Sequence, residues 1–183
     1  MLIVGAGVQG LAHLQAFAAG LGVREVQVAS RSAQSAQALV DQARAMGLQA
    51  TTVEDVEAAA RHCPLIVTCT PARAVVLREA PRSDAFISAV GAFTPQMVEL
   101  APGLCQGLLQ SGRVVVDTGD ALHEAGDLLQ AGIDVAALPT LEQVVREQWP
   151  RSDSPVLFKC CGWGGWDLAA TRLAMRRAAL QNS

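Results

Sequence analysis

Leu2, Ile3 and Val4 form a short apolar run that breaks at once into Gly5-Ala6-Gly7-Val8-Gln9-Gly10, three glycines in the spacing G-x-G-x-x-G. Val8 to Ala19 then carries apolar residues at helical spacing and stops at Gly20, and Glu25 to Ala29 alternates in the manner of a strand. Strand, glycine turn, helix and second strand within about thirty residues is the context in which this spacing has a physical meaning. Gly5 makes a tight turn, Gly7 leaves the backbone open to a ligand, and Gly10 lets the helix pack closely on the strand. The N–H groups opening the helix then face any phosphate above the turn. The spacing predicts a dinucleotide-binding turn of Gly5, Ala6, Gly7, Val8, Gln9 and Gly10. The bare alternative is a glycine turn that holds no ligand.

The alternation continues along the chain. Ser32 to Met46 predicts a helix capped by Ser32 and ended by Gly47, Leu48 to Thr52 a third strand, and Val53 to His62 a polar-faced helix. Leu65 to Thr70 predicts a fourth strand stopped by Pro71, Ala85 to Val90 a fifth, and Val114 to Asp117 a sixth. Thr94 and Pro95 predict the start of a helix running towards Leu109. Later come a helix over Leu141 to Trp149, a last strand over Val156 to Phe158, and a closing helix over Trp166 to Leu180. Short apolar strands separated by helices predict a mostly parallel sheet with helices on both faces, the doubly wound α/β fold of the Rossmann type. Residues 1–150 are expected to form the dinucleotide-binding domain. The strand and helix of residues 151–183 are expected to complete the same unit.

Composition excludes several functions. The 183 residues are 51% apolar and 17% charged, with 16 glycines and a net charge of −3. A chain this apolar is not disordered. It has no basic excess with which to bind nucleic acid. No apolar run approaches the ~18 residues of a membrane span, and no basic segment with a cleavage site marks a secretory leader. Cys63, Cys69, Cys105, Cys160 and Cys161 are odd in number and lack C-x-x-C or Cys/His ligand spacing. They predict reduced, buried thiols in a cytoplasmic protein, with no disulfide framework and no metal site. In a strand, the neighbours Cys160 and Cys161 would point to opposite faces.

The choice of dinucleotide follows from the second strand. NAD-binding chains usually place a carboxylate at its end for the ribose 2′-hydroxyl. Here that place holds Ser30, Arg31 and Ser32. A guanidinium and two hydroxyls suit a 2′-phosphate, which predicts NADP(H) over NAD(H); a solvated charge at a helix entry is the plainer reading of Arg31. Thr68 and Thr70 end the fourth strand and Val90 and Gly91 the fifth, so both segments are candidates for the adenosine and nicotinamide ends. A strand-end hydroxyl bonded to its own backbone is the alternative for Thr70. His13, His62 and His123 stand in no nucleophile or base arrangement, and no catalytic residue is assigned.

Several blocks resemble the ornithine cyclodeaminase/mu-crystallin family. They are the glycine turn with His13-Leu14, Ser30-Arg31-Ser32, Val67-Thr68-Cys69-Thr70-Pro71, and Ala89-Val90-Gly91-Ala92 followed by Pro95 and Glu99. Val116-Asp117 with Glu124-Ala125-Gly126-Asp127, and Phe158-Lys159 with Gly162-Trp163 and Asp167-Leu168-Ala169, complete the set. The resemblance keeps its order over nearly the whole chain. It implies binding of NAD(P)(H) and one of several activities: ornithine cyclisation with loss of ammonia, alanine dehydrogenation, or reduction of cyclic ketimines such as pyrroline-2-carboxylate. Mu-crystallin also binds thyroid hormone.

Two departures shape the expectation. The family carries a long segment upstream of the glycine turn, which builds a dimer interface and supplies the Arg and Lys that hold the substrate carboxylate. The present chain starts directly on its first strand, so that segment is expected to be missing. The cyclodeaminases carry an Asp base after the fifth strand, where this chain has Phe93. A phenyl ring takes no proton, so the resemblance implies NADPH-dependent reduction of a cyclic imino acid, in the ketimine-reductase branch, rather than cyclodeamination. The rivals are an ornithine cyclodeaminase or alanine-dehydrogenase-like enzyme, and a truncated NADP(H)-binding module without turnover. The expected partners are a small imino or amino acid, and a second copy of the chain or the absent upstream segment.

Overall fold

A computed structural model describes residues 1–71 and 73–181. β1 (Leu2–Val4), β2 (Glu25–Ala29) and β3 (Gln49–Thr52) are joined by α1 (Val8–Leu21) and α2 (Ala33–Ala45), and α3 (Val56–Ala60) leads to β4 (Leu65–Thr68). Then come β5 (Arg73–Leu77), β6 (Phe86–Ala89), β7 (Val98–Leu100), α4 (Pro102–Ser111) and β8 (Arg113–Val116). α5 (Ala121–Glu124), α6 (Gly126–Gln130), α7 (Leu141–Arg146), β9 (Val156–Lys159) and α8 (Gly164–Gln181) close the chain. Seven strands form one sheet in the order β3-β2-β1-β4-β6-β9-β8, with every pairing parallel. This is the expected doubly wound α/β fold.

The alternation of β1 builds two cores. Leu2 and Val4 pack on one face with Leu104 and Leu108 of α4 and Leu128 of α6. Ile3 turns to the other face, among Leu14 of α1 and Leu39 and Val40 of α2. Each such fully buried side chain contributes about 1.5–3 kcal/mol, so three residues anchor helices on both faces of the sheet.

Some expected boundaries move. α1 runs through Gly20 and ends at Gly22, whose left-handed φ of 67° makes it the C-terminal cap. Ser32 does cap α2, accepting from the Ser35 amide at 3.2 Å. The helix expected over 53–62 shrinks to α3 because the Asp55 carboxylate caps it late, accepting from the Ala58 amide at 2.9 Å.

The helix expected from Thr94 towards Leu109 is incorrect. That stretch holds β7, which pairs in parallel with the unforeseen β5. Leu77 and Leu100 are both wholly buried there. Asp127 on α6 takes the Glu99 and Leu100 amides at 2.5 and 2.8 Å, bonds that a helix would have spent internally. The helical start belongs to Pro102, in the first turn of α4.

β9 lies between β6 and β8, inside the sheet. The final two residues of the expected 151–183 stretch, Asn182 and Ser183, lie outside the described residues. No side chain from Gly164 to Ala179 in α8 is buried. The apolar residues of α8 are spread around the helix rather than gathered on one face. No helix among the described residues is long and apolar enough to cross a membrane.

Candidate functional site

The carboxyl ends of β1 and β4 meet where the strand order reverses direction, the place where open α/β sheets take their ligands. Gly5 adopts a φ of 117°, and a Cβ there would lie 2.6 Å from the Cys69 carbonyl oxygen. A Cβ on Gly10 would strike the Gly5 carbonyl. Gly7 is different: a Cβ there meets nothing within 4 Å. Gly7, Val8 and Gln9 are exposed and no side chain caps the start of α1. The opening amides of a 14-residue helix thus face open space. A diphosphate fits such a turn, and the space above Gly7 is where it would lie.

A cleft of about 680 Å3 opens over this turn, within the usual size of small-molecule sites. Gly7, Val8 and Gln9 form one wall, and Thr70, Val90 and Gly91 stand at the ends of β4 and β6. Phe93, Trp163 and Trp166 give it an aromatic side; the two tryptophans meet edge to face with centroids 6.4 Å apart. His13 and Asp167 also border it, whereas no Arg or Lys does among the described residues. A second cleft of about 480 Å3 lies by α4 and the residues before β6 and β9, far from the glycine turn. Its Arg82 is paired to Asp84 at 2.7 Å.

Beneath the cleft lies a network of buried charge. The Glu99 carboxylate accepts five hydrogen bonds. Oε1 takes the Thr70 amide at 2.6 Å and the Thr70 hydroxyl at 2.9 Å. Oε2 takes the Gly91 amide at 2.7 Å, the Ala92 amide at 3.2 Å and the Thr68 hydroxyl at 3.1 Å. Burial pushes the Glu99 carboxyl above the ordinary carboxylate range, opposed by the Thr70 amide and the Lys159 charge. Asp127 Oδ2 lies 2.9 Å from Lys159 Nζ, off the hydrogen-bond axis, so the contact is one of charge. Asp117 Oδ2 accepts from the Cys161 and Gly162 amides at 2.7 Å each and folds the chain after β9 against the cleft.

The sequence-derived residues separate by role. Gly7, Val8, Gln9, Thr70, Val90 and Gly91 converge on the cleft. Gly5, Ala6 and Gly10 form the turn beneath it. Thr68 is fully buried, donates its hydroxyl to Glu99 and does not border the cleft. Thr70 bonds Glu99 rather than its own backbone. Ser30, Arg31 and Ser32 lie at the end of β2, beside β1 and outside the cleft wall; Arg31 is exposed. His13 stands with Nδ1 2.8 Å from the Gln9 carbonyl, while His62 and His123 are exposed elsewhere.

All five cysteines are unpaired. Cys63, Cys69 and Cys105 are buried as expected, whereas Cys160 and Cys161 are only half-buried: they lie past the end of β9 and both border the cleft, so the opposite-face expectation for a strand does not apply. Burial pushes their thiols up to about 11 and about 12. No group of three or more His, Cys, Asp or Glu among the described residues is arranged to hold a metal ion.

The sequence assigns no role to Glu99, Asp127, Lys159 or Asp117. The available signal was charge out of place: Lys159 and Asp117 each end an apolar strand run.

The Ornithine cyclodeaminase/mu-crystallin family matches the sequence over residues 1–181. The chain belongs to this family. It is 36% identical over 174 residues to the Delta(1)-pyrroline-2-carboxylate reductase 2 of Burkholderia ambifaria, covering 95% of this chain and 54% of that protein. It is also 36% identical over 183 residues to the Delta(1)-pyrroline-2-carboxylate/Delta(1)-piperideine-2-carboxylate reductase of Azospirillum brasilense, covering 97% of this chain and 57% of the other. The fold is similar to that of the Thermococcus litoralis Delta(1)-pyrroline-2-carboxylate reductase in complex with NADH and L-proline, with a TM-score of 0.89 at 23% identity, covering 99% of this chain and 58% of that one. The chain thus spans little more than half the length of these family members.

Proposed function

We propose that this chain is the NADP(H)-binding part of a reductase acting on cyclic ketimine carboxylates of the pyrroline-2-carboxylate and piperideine-2-carboxylate type. The observation that carries the reading is the cleft joining the open Gly7 turn to the ends of β4 and β6. The 36% identity to two reductases of this substrate class supports it. When bound, the reduced nicotinamide supplies the hydride. The residues of this chain bind and orient. The amides after Gly7 hold the diphosphate, and Arg31 with Ser30 and Ser32 receives the 2′-phosphate at the end of β2. Thr70, Val90 and Gly91 receive the other nucleoside half. The aromatic side of the cleft keeps water from the reacting face.

A second reading is a cofactor-binding module without turnover. The specific observation in its favour is that, among the described side chains, no Arg or Lys borders the cleft to hold a substrate carboxylate. We further propose a cytoplasmic protein that forms a homodimer, in which the exposed α8 is covered. The test is titration with NADPH, read by tryptophan fluorescence because Trp163 and Trp166 border the cleft, followed by NADPH consumption with each imino acid. Saturable binding with turnover supports the reductase in this chain. Binding alone supports the module, with the remaining substrate site outside this chain. Absence of binding refutes both.

A further inference from the structure

We propose that Glu99 is a positioning residue that holds the ends of β4 and β6 at a fixed spacing and so shapes the half of the cleft that receives the nicotinamide end of the dinucleotide. The inference rests on the reading of the cleft as an NADP(H) site and assigns the device that preforms it.

The geometry is specific to a carboxylate. Thr70 follows β4 and Gly91 follows β6, and both border the cleft. The two segments approach so closely that a Cβ on Gly91 would strike the Thr70 backbone and Glu99 Oε1 together. Between them, Oε1 serves the Thr70 side and Oε2 the Gly91 side, against three backbone N–H donors in all. Both oxygens therefore have to accept. Glu99 is itself held from below, because Asp127 takes the Glu99 and Leu100 amides and faces Lys159 at the end of β9. One buried carboxylate thus ties two loops to each other while Asp127 and Lys159 tie it to the sheet.

The loops belong to one half of the ligand. Arg31 lies on the β2 side of β1, and Thr70 and Gly91 lie on the β4 side. A dinucleotide bound across the reversal point sets one nucleoside on each side. The half without the 2′-phosphate falls on the Glu99 side.

The test uses Glu99→Gln, which keeps shape but turns one acceptor into an N–H2 donor, so that either the Thr70 or the Gly91 amide meets a donor. Affinity is measured for NADPH and for adenosine 2′,5′-bisphosphate, which carries only the 2′-phosphate half. The expected result is a roughly tenfold or greater loss for NADPH, with the bisphosphate unchanged. A general loss of folding would weaken both ligands alike. Thr68→Val is the second variant. It removes one donor to Oε2 from a residue that does not border the cleft. It is expected to weaken NADPH by roughly two- to tenfold, again sparing the bisphosphate. Unchanged NADPH affinity, or equal loss for both ligands, overturns the assignment; if Glu99→Gln does not fold, Thr68→Val decides on the same terms. Wild-type protein that binds neither ligand overturns the NADP(H) reading, and the role of Glu99 with it. Wild-type binding without the split in the variants overturns Glu99 alone.

Discussion

The Asp127 carboxylate and the Lys159 ammonium lie 2.9 Å apart with both side chains at 0% exposure. The two ions come from α6 and β9, separate stretches of chain that meet beneath the ends of β4 and β6. Asp127 also takes two backbone amides of β7, so its charge is hydrogen-bonded as well as paired. Removing one member of such a pair leaves a bare buried charge, which costs far more than the pair itself contributes.

Asp127→Ala is expected to destabilise the fold by about 3–5 kcal/mol, since it strands Lys159 and two amides of β7 together. Lys159→Met is expected to cost less, because Asp127 keeps its two amide donors. Urea unfolding of both variants measures the difference. Equal and small losses would show that the pair is solvated in solution.

Gly7→Val is expected to abolish dinucleotide binding while the fold persists. A side chain at Gly7 enters open space, so packing is untouched, yet it fills the place where the diphosphate must approach the backbone. Gly10→Val is the control: it collides with the Gly5 carbonyl and should unfold the turn. Circular dichroism with an NADPH titration separates the two outcomes. Retained affinity in a folded Gly7 variant would reduce the loop to a plain turn.

Arg31→Ala is expected to weaken NADPH by roughly ten- to a hundredfold, the worth of one charge-assisted contact to phosphate, and to leave NADH nearly unchanged. Dissociation constants for both cofactors in both proteins decide it. Loss of equal size for the two would remove Arg31 from cofactor discrimination.

Burial raises the Cys160 and Cys161 thiols to about 11 and 12, from a usual value of 9. The folded state holds those protons longer than the unfolded chain does. Their contribution to stability is therefore complete below about pH 9 and is lost as pH rises through 11 to 12. Folded protein at pH 8 should react slowly with iodoacetamide and the urea-unfolded chain quickly, as read by mass spectrometry. The urea midpoint should fall between pH 9 and 11. Fast modification of Cys160 or Cys161 at pH 8 would contradict the raised thiols.

Leu168, Leu173 and Met175 on α8 are at least half exposed, and no described side chain of the helix is buried. Apolar groups so displayed favour association. Light scattering is expected to give a dimer for the chain and a monomer after truncation at Trp163, with the sheet still folded. A monomer at all concentrations would rule the dimer out.

The sequence by itself determined the glycine turn, the alternation of strand and helix, and hence the doubly wound sheet. Each of these is written in residues a few places apart: the glycines of 5–10, the alternation of 25–29, the capping Ser32. Such local patterns survive any arrangement of the rest of the chain. What only the tertiary structure decided is the placement of Glu99, Asp127 and Lys159 under the cleft. Thr70 and its acceptor Glu99 are 29 residues apart, and the stretch from Thr94 through Leu100 reads as helical because Thr94 and Pro95 resemble a helix start. Its true state depends on partners outside the segment. β5 pairs with it, and Asp127 takes its amides from 28 residues further on. A strand whose hydrogen bonds are made only at long range leaves no periodic trace, and a buried carboxylate reads as a surface one until the chain closes over it.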